Sequence, residues 1–226
     1  MEPKEAAALS AARTVGDGQV VGLGTGSTVY YAIKELGRRV REEGLDILGV
    51  PTSLGTELLA VEEGIKLTTL AEHPSLDLAI DGADEVDRRL NLIKGGGGAH
   101  TREKAVAKAA ARFLVVVDEA KLKEWLSMPV PVEVLPFSRR LAEEGLKALG
   151  GRPAIRMGVR KAGPVITDNG NLILDVSFGT IRNPRRLEEG IKGVIGVVES
   201  GVFAGYEPEV HVGPKDGGPV RILRPP

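Results

Sequence analysis

Apolar runs alternate with amphipathic stretches through the first half of the chain. Residues 4–15 are alanine-rich and predict an opening helix, ended by Gly16-Asp17-Gly18. The apolar run 19–23 predicts a buried strand. A helix beginning at Ser27 or Thr28 and running to 43 follows, with Val29, Ile33, Leu36 and Val40 on one face. The pattern continues with a strand over 46–50, a helix over 54–63 closed by Gly64, and strands over 66–70 and 76–80. Near-continuous apolar residues in 76–80 imply burial on both faces. A short strand over 90–93, a helix over 101–112 and the very apolar strand 113–117 complete the series. Strands that alternate with helices in this way predict an α/β fold with a doubly wound, mostly parallel, Rossmann-like sheet.

The pattern changes at Pro129-Val130-Pro131. Beyond it, a strand over 132–136, a helix over 138–149, a hairpin over 165–178 and a helix over 184–194 predict a smaller α+β domain, residues 130–199. The Asn169-Gly170 pair marks the hairpin turn.

Composition narrows the function. The 226 residues carry 30 Lys plus Arg against 31 Asp plus Glu, a net charge of -1, so nothing general attracts nucleic acid or an anionic membrane. An anionic ligand must therefore be held locally. The absence of cysteine excludes disulfides, thiolate metal sites and a cysteine nucleophile, and fits a reducing cytoplasm. No basic-then-apolar leader opens the chain and no apolar run reaches the roughly 20 residues that span a bilayer. The expectation is a cytoplasmic protein.

Three segments carry candidate chemistry. Gly22-Leu23-Gly24-Thr25-Gly26-Ser27-Thr28 lies between a strand and a helix, where backbone amides, hydroxyls and the helix dipole suit a phosphate. A plain tight turn is the alternative. Ser27 stands where a dinucleotide fingerprint needs its third glycine, and no Walker lysine precedes Thr28. Asp81-Gly82-Ala83-Asp84-Glu85-Val86-Asp87 follows an apolar strand, where open α/β sheets place ligands; a solvated acidic turn or a magnesium site are the alternatives. In Lys94-Gly95-Gly96-Gly97-Gly98-Ala99-His100-Thr101-Arg102-Glu103, the consecutive glycines cost backbone entropy, which close approach of a ligand would justify. Glu103 falls in the first turn of the next helix, where helix capping is an equal alternative to catalysis. His73, His100 and His211 lack metal-ligand spacing and are assigned structural or surface roles. Lys121, just past a strand end, is either a surface residue or a phosphate partner.

These segments resemble the ribose-5-phosphate isomerase A family. The matching blocks are GLGTGST (22–28), DGADEVD (81–87), KGGGGAHTREK (94–104), PVEVLPF (131–137), LGGRP (149–153) and TDNGNLILD (167–175), in order along almost the whole chain. His100 departs from the family pattern, where an apolar residue such as leucine is expected. The resemblance implies that the small α+β domain is inserted, with residues 1–129 plus 200–226 forming the catalytic domain. It implies a homodimer or a homotetramer, no cofactor and no metal. It also implies that Glu103 is the proton acceptor, that Lys94, Asp81 and Asp84 line the sugar, and that Thr25, Gly26, Ser27, Thr28 and Lys121 contact a pentose 5-phosphate.

General chemistry agrees with those roles. A closed furanose must be opened by an acid-base group, a task for Asp81 or Asp84 beside Gly82 and Ala83. Glu103 would carry a proton between C2 and C1 while Lys94 and the amides of Gly95, Gly96 and Gly97 stabilise the enediolate. Rival expectations are a sugar-phosphate-sensing transcription regulator, for which the residues before the first strand are too few, and a nicotinamide oxidoreductase, which lacks its third glycine. Another phosphosugar isomerase or deaminase differs only in pocket shape.

Overall fold

The structure is a computed structural model and describes residues 1–225. Its elements run in the order α1 (Pro3–Ala12), β1 (Val20–Leu23), α2 (Val29–Glu43), β2 (Leu48–Pro51), α3 (Leu54–Glu62), β3 (Lys66–Leu67), β4 (Leu76–Gly82), β5 (Glu85–Val86), β6 (Leu92–Ile93), α4 (His100–Ala109) and β7 (Ala110–Asp118). There follow β8 (Val130–Val134), α5 (Arg139–Ala148), β9 (Arg152–Ile155), β10 (Leu172–Ser177), α6 (Pro184–Lys192), β11 (Val197–Ser200), β12 (Val202–Phe203), β13 (Glu209–Gly213) and β14 (Arg221–Leu223). They form two compact units, one of residues 1–83, 102–122 and 206–225, the other of 84–101 and 123–205.

The first unit is built on a 7-stranded sheet of order β14-β13-β7-β4-β1-β2-β3, parallel except for the β13–β14 pair. Side chains alternate across it as the strand period requires. Val21, Leu23, Leu78, Ile80, Leu114 and Val116 pack into one cluster with Ala8 and Ala11 of α1 and Ile33 and Leu36 of α2. Gly22 points the other way: a Cβ there would lie 2.3 Å from Val106 of α4. Helices therefore cover both faces, which is the doubly wound arrangement. Helix α2 buries Val29, Ala32, Ile33 and Leu36, spaced at one helical face, and ends at Gly44 with φ 71°, a left-handed cap that glycine adopts without strain.

His211 of β13 is buried in this unit, with Nδ1 2.9 Å from Ser10 Oγ. Burial pushes its pKa below the ordinary 6.5, while Glu209 opposes that shift and Arg224 and Arg112 add to it. The unfolded chain therefore binds a proton at this site more readily than the folded one. Stability from this group is complete above about pH 6.5 and declines as the pH falls below it. The melting temperature should drop between pH 7.5 and 5.5 by less in His211→Gln than in the parent; equal slopes would show that His211 contributes nothing to acid sensitivity.

The second unit holds a 4-stranded antiparallel sheet, β11-β8-β10-β9, and a 3-stranded sheet, β12-β6-β5. Val132, Val134, Leu174 and Val176 pack with Ala142 and Leu146 of α5 and Ile191 of α6. Several expectations are corrected here. The strand expected over 90–93 belongs to the small sheet because β6 pairs with β5 and β12, and that pairing draws 84–101 into the second unit. By packing, the two units divide at 122 and 206, with 84–101 in the second. The hairpin over 165–178 shrinks to an isolated bridge, Ile166 to Leu172, and β10 pairs instead with β8 and β9. Strand 66–70 is limited to Lys66–Leu67. Among the described residues no helix is long and apolar enough to cross a membrane.

Candidate active site

In the first unit the glycine-rich loop follows β1 and leads into α2. Gly24 tolerates no side chain, because a Cβ would lie 2.2 Å from Asp81 Oδ1. Gly26 has φ 126°, a conformation that glycine alone accepts readily. Thr25 is committed within the protein: its N–H donates to Asp81 Oδ1 at 3.3 Å, and its hydroxyl sits 2.8 Å from Thr52 Oγ1 and 2.8 Å from Ser53 Oγ. Thr56 Oγ1 lies 3.1 Å away and donates to the Gly24 carbonyl at 2.8 Å. These hydroxyls fix the loop, leaving Gly26 and Ser27 exposed and Thr28 half-buried before the first turn of α2. The loop borders a cavity of about 510 Å³ with Tyr30 and Thr56, a size that suits a small metabolite.

Lys4 was not foreseen. Its ammonium donates to Ser27 Oγ at 3.1 Å, placing a cation at the loop. No local pattern in the sequence links a lysine in α1 to a loop 23 residues later. Lys121 ends a short 3-10 turn, Glu119–Lys121, after β7 and is half-buried. Asp81, at the end of β4, is 2% exposed and accepts the Gly82 N–H at 2.7 Å. Gly82 and Ala83 are half-buried beyond it. Glu103, in the first turn of α4, is 4% exposed.

In the second unit, Asp84 Oδ2 accepts the Gly96 N–H at 2.8 Å. Lys94 is 2% exposed; its N–H donates to the Gly201 carbonyl at 2.8 Å and its ammonium lies 5.6 Å from the centre of the Phe203 ring. Gly95 and Gly98 have φ of 100° and 82°, and a Cβ on Gly95 would lie 2.7 Å from His100 Nδ1. His100 is fully buried, and its Nε2 lies 3.3 Å from the Glu199 carbonyl, so the polar residue at an expected apolar position has a backbone partner.

The acidic run separates into different tasks. Glu85 accepts the N–H groups of Ser127 and Met128 at 2.7 and 3.0 Å. Asp87 Oδ1 accepts those of Arg89 and Asn91 at 2.8 and 2.9 Å, closing the turn before β6. Both carboxylates therefore hold loops of the second unit in place. Among the described residues no group of three His, Asp or Glu side chains is arranged to hold a metal ion.

Sequence reasoning also missed the part played by Glu133 of β8, a carboxylate with no exposed surface. It accepts hydrogen bonds from Thr101 Oγ1, Thr167 Oγ1 at 2.9 Å, Asn169 Nδ2 at 3.1 Å and Asn171 Nδ2 at 2.7 Å. Burial raises its pKa, but the four donors outweigh that and hold the carboxyl below the usual range. Thr101 lies in the first turn of α4, two residues before Glu103, so this buried charge fixes the start of that helix.

Comparison with known proteins places this geometry. A sequence model of the family ribose 5-phosphate isomerase A (phosphoriboisomerase A) matches residues 48–217. The ribose-5-phosphate isomerase A of Methanosarcina acetivorans is 58% identical over 220 residues, covering 97% of this chain and 93% of the relative. The solved ribose 5-phosphate isomerase A of Methanocaldococcus jannaschii superposes with a TM-score of 0.93 at 49% identity, covering 98% of this chain and 97% of that one. A D-ribose-5-phosphate isomerase solved in complex with phospho-erythronic acid gives a TM-score of 0.94 at 44% identity, covering 99% and 100% of the two chains. The chain therefore belongs to the ribose 5-phosphate isomerase A family.

Proposed function

We propose that this protein interconverts D-ribose 5-phosphate and D-ribulose 5-phosphate through an enediolate, a reaction of the non-oxidative pentose phosphate pathway. The observation that carries this is the full-length match to an isomerase solved with phospho-erythronic acid, whose carboxylate imitates the paired oxygens of an enediolate. Asp81 or Asp84 assists opening of the furanose ring. Glu103 removes the C2 proton and returns it to C1. Lys94 and the amides of Gly95 to Gly97 stabilise the charge that develops between those steps. Gly26, Ser27 and Thr28 hold the phosphate, with Lys4 and Lys121 as cations, and Thr25 fixes the loop beneath them. Phosphate binding remote from the reacting carbons orients them.

The chemistry requires no metal or cofactor, because a lysine supplies the charge stabilisation a divalent ion would give. Chelator-treated protein mixed with ribose 5-phosphate should therefore form ketose without additives, and free ribose should be a poor substrate. Ser27→Ala should mainly raise KM. Turnover that needs a divalent ion, or equal efficiency with free ribose, would overturn the metal-free or the phosphate-loop assignment respectively.

The protein acts as a cytoplasmic homodimer or homotetramer. Support for self-association comes from α3, which exposes Leu54, Leu58 and Val61 along one face. A sedimentation mass of a single chain would contradict it.

A further inference from the structure

We propose that Arg156, locked to Asp175, is a positioning residue that fixes the glycine loop, holding the Asp84 carboxylate in place through the Gly96 amide and aiming the Gly97 amide to the same side. This rests on the isomerase reading above. Arg156 follows β9 and its backbone is held on both sides: its N–H donates to the Ile173 carbonyl at 2.9 Å, and its carbonyl accepts the Val165 N–H at 2.9 Å. The guanidinium meets the Asp175 carboxylate in a two-pronged pair, Nε to Oδ2 at 2.9 Å and Nη2 to Oδ1. The third nitrogen, Nη1, donates to the carbonyls of Gly95 at 2.9 Å and Gly96 at 3.1 Å. With these bonds made, the side chain serves the loop rather than a ligand anion.

In a trans peptide the C=O and N–H point in opposite directions, and the described residues contain no cis bond. Fixing the Gly95 carbonyl on Arg156 aims the Gly96 N–H away from it, where it meets Asp84 Oδ2 at 2.8 Å. Fixing the Gly96 carbonyl on the same nitrogen aims the N–H of the exposed Gly97 to that same side. One guanidinium thus sets two consecutive amides, and through the first of them the Asp84 carboxylate. A Cβ on Gly96 would lie 2.8 Å from Asp84 Oδ1, so any side chain there would push the carboxylate off the Gly96 N–H. Arginine is needed because a lysine ammonium has no planar fork with which to engage a carboxylate and two carbonyls at once. A glycine run has no conformational preference of its own, so its amides are preorganised only if something outside the loop holds them.

The test compares Arg156→Ala, Arg156→Lys and Asp175→Asn with the parent, measuring kcat and KM for ribose 5-phosphate and the inhibition constant of phospho-erythronic acid. In Arg156→Ala kcat should fall by about 10²-fold, as a misplaced catalytic group costs. The inhibition constant should rise in parallel, because a mimic of the enediolate loses the same stabilisation as the reacting sugar, while KM changes little. Added guanidinium ion should restore part of kcat in Arg156→Ala. Arg156→Lys keeps the charge and most of the bulk, and decides the matter if the alanine variant does not fold. Unchanged kcat and inhibition in Arg156→Lys and Asp175→Asn, with only a lower melting temperature, would reduce the clamp to a structural role. A parent protein that fails to interconvert the two pentose phosphates would instead sink the isomerase reading itself.

Discussion

Glu103→Gln is expected to lower turnover of ribose 5-phosphate by roughly 10²- to 10⁴-fold, the usual share of a general base, with KM and melting temperature nearly unchanged. Glutamine keeps the size and much of the hydrogen bonding of glutamate but cannot accept a proton. Glu103 is almost fully buried in the first turn of α4, where water does not compete for the carboxylate. Steady-state kinetics with a parallel melting curve check this. Near-normal turnover would reduce Glu103 to a helix-capping residue and move the base to Asp81 or Asp84. Lost binding would make its role one of substrate recognition.

The second large effect concerns stability. Glu133→Ala should destabilise the protein by about 3 to 5 kcal/mol, because it leaves buried hydroxyl and amide donors without their acceptor and opens a cavity. Net stabilities of folded proteins are of order 5 to 15 kcal/mol, so the loss is a large fraction of the whole. For a chain of this length the melting temperature should fall by roughly 10 °C or more. The contribution also depends on pH. The folded-state pKa of Glu133 is lowered, so its stabilisation is complete above the ordinary glutamate value near 4.5 and is lost as the pH falls through the lower folded value. Calorimetry at neutral pH measures the difference directly. A change below about 1 kcal/mol would mean that water replaces the carboxylate, against its complete burial.

The parallel sheet was legible because its strands are buried on both faces. The apolar runs 20–23 and 113–117 carry no polar residue, and 76–80 is broken only by Asp77 near its start. What escaped was structure held by polar groups. The Asn169-Gly170 turn forms, with Gly170 at φ 80°, but Thr167, Asn169 and Asn171 turn to Glu133 instead of extending a two-stranded ladder. Strand β9 contains Pro153 and two exposed residues, and β13 carries a glutamate and a histidine within five residues, so neither reads as apolar. The pairing of β6 with β12 joins segments more than 100 residues apart, which no local pattern encodes.

The candidate site divides in the same way. Motif spacing singled out the glycine-rich loop after β1, the Asp81 segment and the Lys94 segment, because runs of glycine and acid are rare enough to need a reason. It could not tell which amides each carboxylate of the acidic run accepts: Ser127 and Met128 for Glu85, Arg89 and Asn91 for Asp87, Thr25 and Gly82 for Asp81, Gly96 for Asp84. Nor could it assign Lys4, Glu133 or Arg156, whose parts depend on partners distant in the chain.

Proton transfer through an enediolate is tested most directly by isotope exchange. The parent protein would be held at equilibrium with ribose 5-phosphate in deuterated water for many turnovers, and the sugar phosphates examined by NMR. A base that carries the proton between C2 and C1 releases some of it to solvent in each cycle, so deuterium should accumulate at those carbons. Glu103→Gln, under the same conditions, should introduce little label. Continued interconversion with no deuterium at either carbon is also what proton transfer faster than solvent exchange gives; combined with near-normal turnover in Glu103→Gln, it would contradict both the enediolate and the role of Glu103 as its base.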